Sequence, residues 1–321
     1  MQRIHGQLLD QKELAMNVLM WIVYAKRPLQ TSELQHALSV EPGEPEFFED
    51  NLPDLDDIVS ACCGLVTVDE ESHIIRLIHY TTQEFFDRRG YEIFPNAQAQ
   101  IANVYLTYLS FDVFSSGHCN NREEFEQRLA NYSLFDYASG NWGHFATRGL
   151  ADSELIQNLL DLPAHVQACG QALMAADTRG KLRPRTEDEY WSYIPLGTSS
   201  LHLAAYFGLT STMSRILDVL DADIQDSMER TPVCYAALNG HQAAVGLLLE
   251  RNCKPSMADA EGWAPVLWAT MKGHEAVVRL LLDNGVQIEQ KDENECTALW
   301  IAAYEGHESI MNAAVAAYQW L

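Results

Sequence analysis

The first third of the chain carries apolar positions at helical spacing in three short segments. The first predicted helix, Gln11 to Lys26, has apolar residues every three or four positions and stops before Pro28. A second helix is predicted over Thr31 to Val40, which begins with two hydroxyl residues suited to capping. A third is predicted over Asp54 to Cys62, because Gly64 follows as a terminator.

After these helices the pattern changes to one typical of strands. The segments "LVTV" and "IIRLIHY" are rich in β-branched residues and are separated by the polar "DEESH", which predicts a hairpin. The following "TTQEFFDRR" predicts a helix capped by Thr81 or Thr82, with Glu84 in its first turn. The apolar side chains expected in the core of this junction are Ile78, Phe85 and Phe86. Three helices and a hairpin in this order predict a winged helix.

The middle of the chain returns to a helical pattern and predicts a small bundle. Its predicted helices are Asn96 to Phe111, Arg122 to Ala130, Tyr132 to Thr147, and Glu154 to Ala176. Trp142 and Phe145, at helical spacing in "GNWGHFA", are expected in the core of this bundle. Arg179 to Pro195 is the most linker-like segment, since Pro184 interrupts it. The basic residues of this connector, expected to be solvated, are Lys181, Arg183 and Arg185.

The remaining chain repeats with a period of 33 residues, which places Gly240, Gly273 and Gly306 at equivalent positions in "NGH", "KGH" and "EGH". The segments "TPVCYAA", "APVLWAT" and "TALWIAA" precede these glycines, and "AVGLLLE" and "VVRLLLD" follow the first two. An earlier and weaker copy, "SSLHLAAYFG", begins at Ser199. Each unit is therefore expected to be a helix, a glycine-terminated turn, a second helix and a polar loop.

These motifs resemble the ankyrin repeat over Ser199 to Leu321, in four units of which the last is short. Two departures are Leu209, where a histidine usually follows the glycine, and Cys234, where the first helix usually carries histidine. The last unit could expose Trp320 and Leu321. The resemblance implies an α-solenoid in which neighbouring units bury one another, and a non-catalytic role in protein–protein interaction.

The predicted fold class is therefore mainly α: a winged helix, a helical linker bundle, and an α-solenoid of ankyrin repeats. The predicted domains are residues 1–90, 91–195 and 196–321. Both halves of the chain are acidic, with 14 basic and 29 acidic residues up to Ser192, then 7 basic and 16 acidic, for a net charge of −24. Such a field repels nucleic acid and anionic membrane surfaces, so neither is an expected partner.

Seven cysteines occur without a C-x-x-C pair, which indicates reduced thiols and a cytoplasmic protein rather than a disulfide framework. The cysteines are Cys62, Cys63, Cys119, Cys169, Cys234, Cys253 and Cys296. Cys62 and Cys63 are expected at or near a core. Met1 to Asp10 lacks the apolar stretch of a signal peptide, and no segment approaches the length of a membrane span.

Candidate catalytic chemistry is sparse, so the chain is predicted not to be an enzyme and to need no cofactor. It contains no P-loop, G-x-G-x-x-G, H-E-x-x-H or G-x-S-x-G motif. The acidic residues of "DLDD" lack the glycine and spaced glutamate of a calcium loop. His241, His274 and His307 recur in successive layers, about 10 Å apart, whereas zinc needs its ligands within about 2 Å. These histidines are expected to hydrogen-bond the turn backbone rather than a metal.

The segments "VLMWIVYAKRPLQTSELQHAL" and "GLVTVDEESHIIRLIHYTTQEFF" resemble the winged-helix region of fungal NACHT-type signal-transduction NTPases. Such proteins commonly continue through a helical segment into ankyrin repeats, and the same winged-helix type is associated with a GPI inositol-deacylase family. The resemblance implies that His79 could reach the phosphate of a bound ADP. That role needs a nucleotide-binding domain, which would lie before Met1.

Three functions are therefore weighed. The first is an interaction protein whose repeat surface binds another protein, one with a basic surface. The predicted contact residues are Tyr206, Phe207, Arg230, Asn239, Glu261, Trp263, Met271, Lys272, Glu293, Tyr304 and Glu305. The alternative for Trp263 and Tyr304 is that they fill gaps between repeats. The second function is the C-terminal part of a nucleotide-switched regulator. The third, a winged-helix DNA-binding regulator, is disfavoured because Thr31 to Cys62 contains no lysine or arginine.

Overall fold

The computed structural model describes residues 1–146, 154–181, 191 and 194–318. The chain separates into two compact units, Met1–Leu150 and Ala151–Leu321, and each is described by itself. Within the described residues the fold is mainly helical, with one small antiparallel sheet. The predicted domain boundaries at residues 90 and 195 stay predictions, since contacts separate the chain only near residue 150.

The first unit begins with a winged helix, as predicted. Its elements are α1 (Gln2–His5), α2 (Leu9–Tyr24), β1 (Leu29–Gln30), α3 (Thr31–Leu38), α4 (Leu55–Ala61), β2 (Val66–Val68), β3 (Ile74–Leu77) and α5 (Tyr80–Ile93). The hairpin pairs β2 with β3, and β1 joins the other side of β3, so the strand order is β1-β3-β2. The sequence pattern missed α1 and β1 because elements of four and two residues are too short to show a period.

The junction between β3 and α5 differs from its prediction in two ways. The helix begins at Tyr80 with His79 in the capping position, so the expected cap at Thr81 or Thr82 is wrong. Phe86 is buried, but Ile78 and Phe85 are 41% and 37% exposed. Ile78 follows the end of the strand, and the face of α5 that turns inward is that of Phe86 and Gly90, roughly 100° around the helix from Phe85. Phe86 stacks against Phe94 at 6.0 Å between ring centroids.

Three helices complete the described part of the first unit: α6 (Ala97–Leu109), α7 (Arg122–Asn131) and α8 (Phe135–Ala146). Trp142 and Phe145 are buried in α8, as expected. Tyr105 of α6 contacts Trp21 of α2 edge-on, with ring centroids 5.4 Å apart, and it contacts Phe145 at 5.6 Å. One aromatic core therefore joins the winged helix to α6 and α8. Cys62 is buried and Cys63 half-buried.

The second unit begins with two helices, α9 (Glu154–Leu160) and α10 (Pro163–Lys181), where the sequence predicted one over Glu154 to Ala176. The break has a local cause, because the residue before a proline is disfavoured in helical conformation and Pro163 has no N–H to continue the first helix. The predicted linker from Arg179 is also wrong at its start, since α10 continues to Lys181. Arg183 and Arg185 lie outside the described residues.

Four helix pairs follow, with the predicted period. They are α11 (Ser200–Phe207) and α12 (Thr210–Ile216), α13 (Pro232–Leu238) and α14 (Gln242–Glu250), α15 (Pro265–Met271) and α16 (Glu275–Asp283), and α17 (Ala298–Glu305) and α18 (Glu308–Tyr318). First helices pack on first helices of the next pair, and second helices on second helices. This stacking is the predicted solenoid. Trp320 and Leu321 lie outside the described residues.

The glycine and histidine of each turn serve the contact between units. The Nε2 atoms of His241, His274 and His307 donate to main-chain oxygens of the preceding unit at 3.0, 3.1 and 3.3 Å. The histidines thus bond to the backbone, but to the preceding unit rather than to their own turn. The imidazoles lie against glycines of that unit: a Cβ on Gly208 or Gly240 would be 2.6 Å from the ring that follows. Glycine is required for this approach as well as for its positive φ.

Candidate interaction surface

Each turn between two consecutive units contains a buried aspartate at the same position. Asp226, Asp259 and Asp292 are 33 residues apart, and all three are at least nine-tenths buried. Each carboxylate accepts hydrogen bonds from the backbone N–H groups two and four residues later, at 2.8 to 3.1 Å. These bonds fix the backbone of the turn, so the side chains it carries are held in place. The aspartates were not predicted from the sequence, although their 33-residue spacing is visible there.

Backbone hydrogen bonds also connect one turn to the next. The Ala260 N–H donates to the Met228 oxygen at 2.9 Å, and the Glu293 N–H donates to the Glu261 oxygen at 3.3 Å. The same connection reaches the segment before α11 through Ser227, whose N–H donates to the Leu196 oxygen at 2.8 Å. Side chains on consecutive turns therefore stand side by side.

An arginine and two tryptophans form the centre of these turns. The Arg230 guanidinium lies 5.4 Å from the ring centroid of Trp268, which is a cation–π distance. Trp268 in turn lies 4.8 Å from Trp263, measured between ring centroids. Its indole Nε1 donates to Asp259 Oδ2 at 3.1 Å, and the same oxygen lies 3.6 Å from Arg230 Nε. Asp259 thus orients both Arg230 and Trp268.

The charges around this stack are mostly acidic. Burial raises the pKa of Asp259, while the N–H of Trp263 and the charge of Arg230 act in the opposite direction. Burial also raises the pKa of Glu261, helped by the negative charges of Asp259 and Glu293. Burial lowers the pKa of Arg230, but nearby groups that include both aspartates outweigh it and raise the pKa. One half-buried arginine is therefore surrounded by an acidic rim.

A second polar network lies beneath Arg230. The Tyr235 hydroxyl donates to Asp226 Oδ2 at 2.5 Å. His202 Nε2 donates to the Arg230 oxygen at 3.0 Å, while its Nδ1 accepts from the Ser199 N–H at 3.0 Å. Burial lowers the pKa of His202. These contacts hold the main chain at Arg230 in place.

The predicted contact residues fall in three places. Arg230, Glu261 and Trp263 meet at the turns, together with Trp268 and Asp259, which were not predicted. The helix ends carry half-buried residues, namely Tyr206, Asn239, Met271 and Lys272. The exposed members are Glu293, Tyr304 and Glu305. Phe207 is 1% exposed and packs inside the unit, so it is not available to a partner.

His79 lies far from these turns in sequence, in the first unit. It is exposed and lines a pocket of about 330 Å³. Lys26, Arg27 and Arg76 also line this pocket, with Tyr80. In a chain of net charge −24 this is a local concentration of cationic side chains. By contrast, helix α4 of the winged helix carries Asp56 and Asp57 in its first turn.

The described residues hold no group of three or more His, Cys, Asp or Glu side chains arranged to bind a metal ion. Over the same residues, no helix is both long and apolar enough to cross a membrane.

Two family descriptions match the chain. "GPI inositol-deacylase, winged helix domain" matches residues 3–93, and "Ankyrin repeats (3 copies)" matches residues 144–259 and 247–317. The ankyrin match therefore begins before Ser199, where the motif was first recognised in the sequence, and it includes α9 and α10. No curated protein is significantly similar to the chain.

Proposed function

We propose that this chain, which belongs to the ankyrin-repeat family by a match over more than half of its length, is a non-catalytic regulatory or signalling scaffold. Its partner is another protein, bound at a surface formed by Arg230, Glu261, Trp263, Trp268 and Glu293, here called the turn surface. Ankyrin repeats are interaction modules, which supports this class of function. The thiol state of all seven cysteines agrees with an intracellular location.

The observation that carries the proposal is the ordered stack of Arg230, Trp268 and Trp263. Tryptophan and arginine are the residues on which binding energy most often concentrates at interfaces. Here the hydrogen bond and the ion pair of Asp259 already fix the Trp268 and Arg230 side chains. These side chains therefore lose little conformational entropy when a partner binds. Because that cost is small, most of the free energy of their contacts contributes to the affinity.

The acidic rim supports a partner with a basic surface. Glu261 and Glu293 stand on adjacent turns beside Trp263, and the whole chain carries a net charge of −24. Opposite charge on the partner would accelerate encounter and fix its orientation more than it would strengthen the final complex.

We expect Trp263→Ala to weaken binding of a captured protein at least about tenfold, or about 1.4 kcal/mol. The full chain is immobilised, a captured protein is identified, and its affinity is then measured for each variant. The matched control is Tyr91→Ala, since Tyr91 is 80% exposed on α5 of the other unit. An unchanged affinity for the Trp263 variant, with circular dichroism showing intact helices, would place the partner elsewhere.

A second candidate function rests on the pocket beside His79. We propose as the alternative that this chain is the C-terminal part of a nucleotide-switched regulator, in which His79 contacts a phosphate. Lys26 and Arg76 in the lining favour it, because such side chains hold phosphate oxygens, while Arg27 is already paired with Glu33.

The genomic sequence upstream of Met1 tests this alternative. An in-frame P-loop, and ADP binding by the longer product that His79→Ala weakens at least about tenfold, are the expected results. Arg3→Ala is the control, because Arg3 is exposed and does not line the pocket. Absence of the motif together with no heat of ADP binding refutes the alternative.

A further inference from the structure

The Glu261 carboxylate is half-buried and lacks a counter-ion. Among the residues that the structure describes, its side chain forms no ion pair and no hydrogen bond. Burial, and then the charges of Asp259 and Glu293, raise the pKa of Glu261, and Arg230 acts in the opposite direction. Because a cation beside this carboxylate would remove the repulsion between like charges, the site favours a positively charged ligand.

Arg230 is already committed to other groups of the turn surface. Its Nε lies 3.6 Å from Asp259 Oδ2, and its guanidinium lies 5.4 Å from the ring centroid of Trp268. Three carboxylates act on this one guanidinium, those of Asp226, Asp259 and Glu261. The turn surface therefore carries more negative charge than its own arginine neutralises.

Trp263 belongs to the same turn as Glu261. The N–H groups of both residues donate to one oxygen, Asp259 Oδ1, at 2.8 Å from Trp263 and 3.1 Å from Glu261. The residue between them, Gly262, lies against the next turn, since a Cβ there would be 3.0 Å from the Glu293 main-chain nitrogen. Trp263 is half-buried, so part of its indole stays open to a ligand. A carboxylate without a counter-ion and an accessible indole are thus held in one fixed turn.

A guanidinium group suits this combination better than an ammonium group does. It is planar, it stacks on aromatic rings, and its fork of N–H donors matches the two oxygens of a carboxylate. Among aromatic rings, indole attracts cations most strongly. The chain itself contains an example of this arrangement, because Arg230 lies over Trp268 and beside the Asp259 carboxylate.

We propose that the turn surface binds an arginine side chain of the partner protein, with the guanidinium stacked on Trp263 and paired with Glu261. This inference rests on the proposed function and names the residue that the partner contributes. The incoming guanidinium supplies the counter-ion that Glu261 lacks. Glu293, on the next turn, adds a second negative charge that attracts the same group.

The probe is acetylated arginine amide, whose only charge is its guanidinium, titrated into the isotope-labelled full chain. Two-dimensional NMR follows the indole N–H signals, which Trp263→Phe and Trp268→Phe assign. We expect the signal of Trp263 to shift to saturation with arginine amide and to stay in place with citrulline amide, which has the same shape and no charge. Lysine amide is expected to bind at least about threefold more weakly than arginine amide. Equal shifts with the arginine and citrulline compounds, or tighter binding of lysine amide, would overturn the proposal.

Glu261→Gln tests the predicted ion pair. This variant is expected to weaken the binding of arginine amide at least about fivefold. The fold should be preserved, because the amide removes a charge that the neighbouring carboxylates repel. Glu250→Gln is the matched control, since it removes the same charge from an exposed position in α14 and should leave the binding unchanged. Equal effects of the two variants would mean that the overall charge of the chain, and not Glu261, attracts the ligand.

The captured protein separates a failure of this inference from a failure of the proposed function. Its affinity is expected to fall with Glu261→Gln as well as with Trp263→Ala. An affinity that depends on Trp263 but not on Glu261 would overturn the arginine proposal and leave the turn surface as the binding site. An affinity that depends on neither residue would refute the turn surface itself, and the arginine proposal with it.

Discussion

Replacing Gly240 with alanine is expected to lower the free energy of unfolding of the repeat array by about 3 kcal/mol. Gly240 has φ +73°, where a side chain costs about 1–2 kcal/mol. An added Cβ would also lie 2.6 Å from His274 Nδ1. The imidazole cannot withdraw easily, because its Nε2 is bonded to the Leu238 oxygen at 3.1 Å.

Urea denaturation followed by circular dichroism measures this loss, and the chain supplies a matched control. Gly246 lies within α14, and a Cβ there would meet nothing within 4 Å. Gly246→Ala should therefore stabilise the array by up to about 1 kcal/mol, from helix propensity alone. Similar effects for the two alanine variants would show that the contact between Gly240 and His274 is not tight.

Acidification is expected to destabilise the first unit through His36. The imidazole of His36 is buried, stacked on Phe47 at 4.4 Å and hydrogen-bonded through Nδ1 to the Tyr108 hydroxyl at 2.9 Å. Burial lowers the pKa of His36 from 6.5 to about 4. Between these values the unfolded chain binds a proton that the folded chain does not, so stability is complete above pH 6.5 and falls as the pH drops toward 4.

The size of this effect is about 2 kcal/mol between about pH 7 and pH 5, and about 3 kcal/mol over the full window. Amide hydrogen exchange in α3 and α6 localises it to the first unit. His36→Gln removes the titrating group and should flatten the pH dependence by that amount, whereas His5→Gln, at an exposed position, should not. Parallel pH profiles for the wild type and His36→Gln would mean that His36 does not control acid stability.

The repeat array was predictable because each unit is specified by a short local motif and the same motif recurs every 33 residues. The spacing of Gly240, Gly273 and Gly306 is enough to place the helix pairs. Each glycine adopts the positive φ that ends a first helix, which other residues rarely adopt. The direction of the histidine bonds was not predictable. His241 could have bonded within its own turn, and only the stacking of units brings the Tyr206 oxygen within 3.0 Å.

The candidate surface was predicted less completely than the fold. Trp263 and Arg230 stood out as residues that the repeat pattern does not require. Trp268 did not stand out, because it occupies a helix position whose side chain is normally expected to pack in the core. Its hydrogen-bond partner Asp259 is also nine residues away in sequence. The exposure of Ile78 and Phe85 could not be predicted for a similar reason. Periodicity indicates which face of an element is apolar, but not where the element that would cover it ends.

The histidine bonds between units also give the array a direction. Each bond has its donor in the later unit and its acceptor in the earlier one. The contact between two consecutive units therefore depends on the imidazole of the later unit. Replacing one of these histidines should loosen the contact of its unit with the preceding one and leave the other two histidine bonds in place.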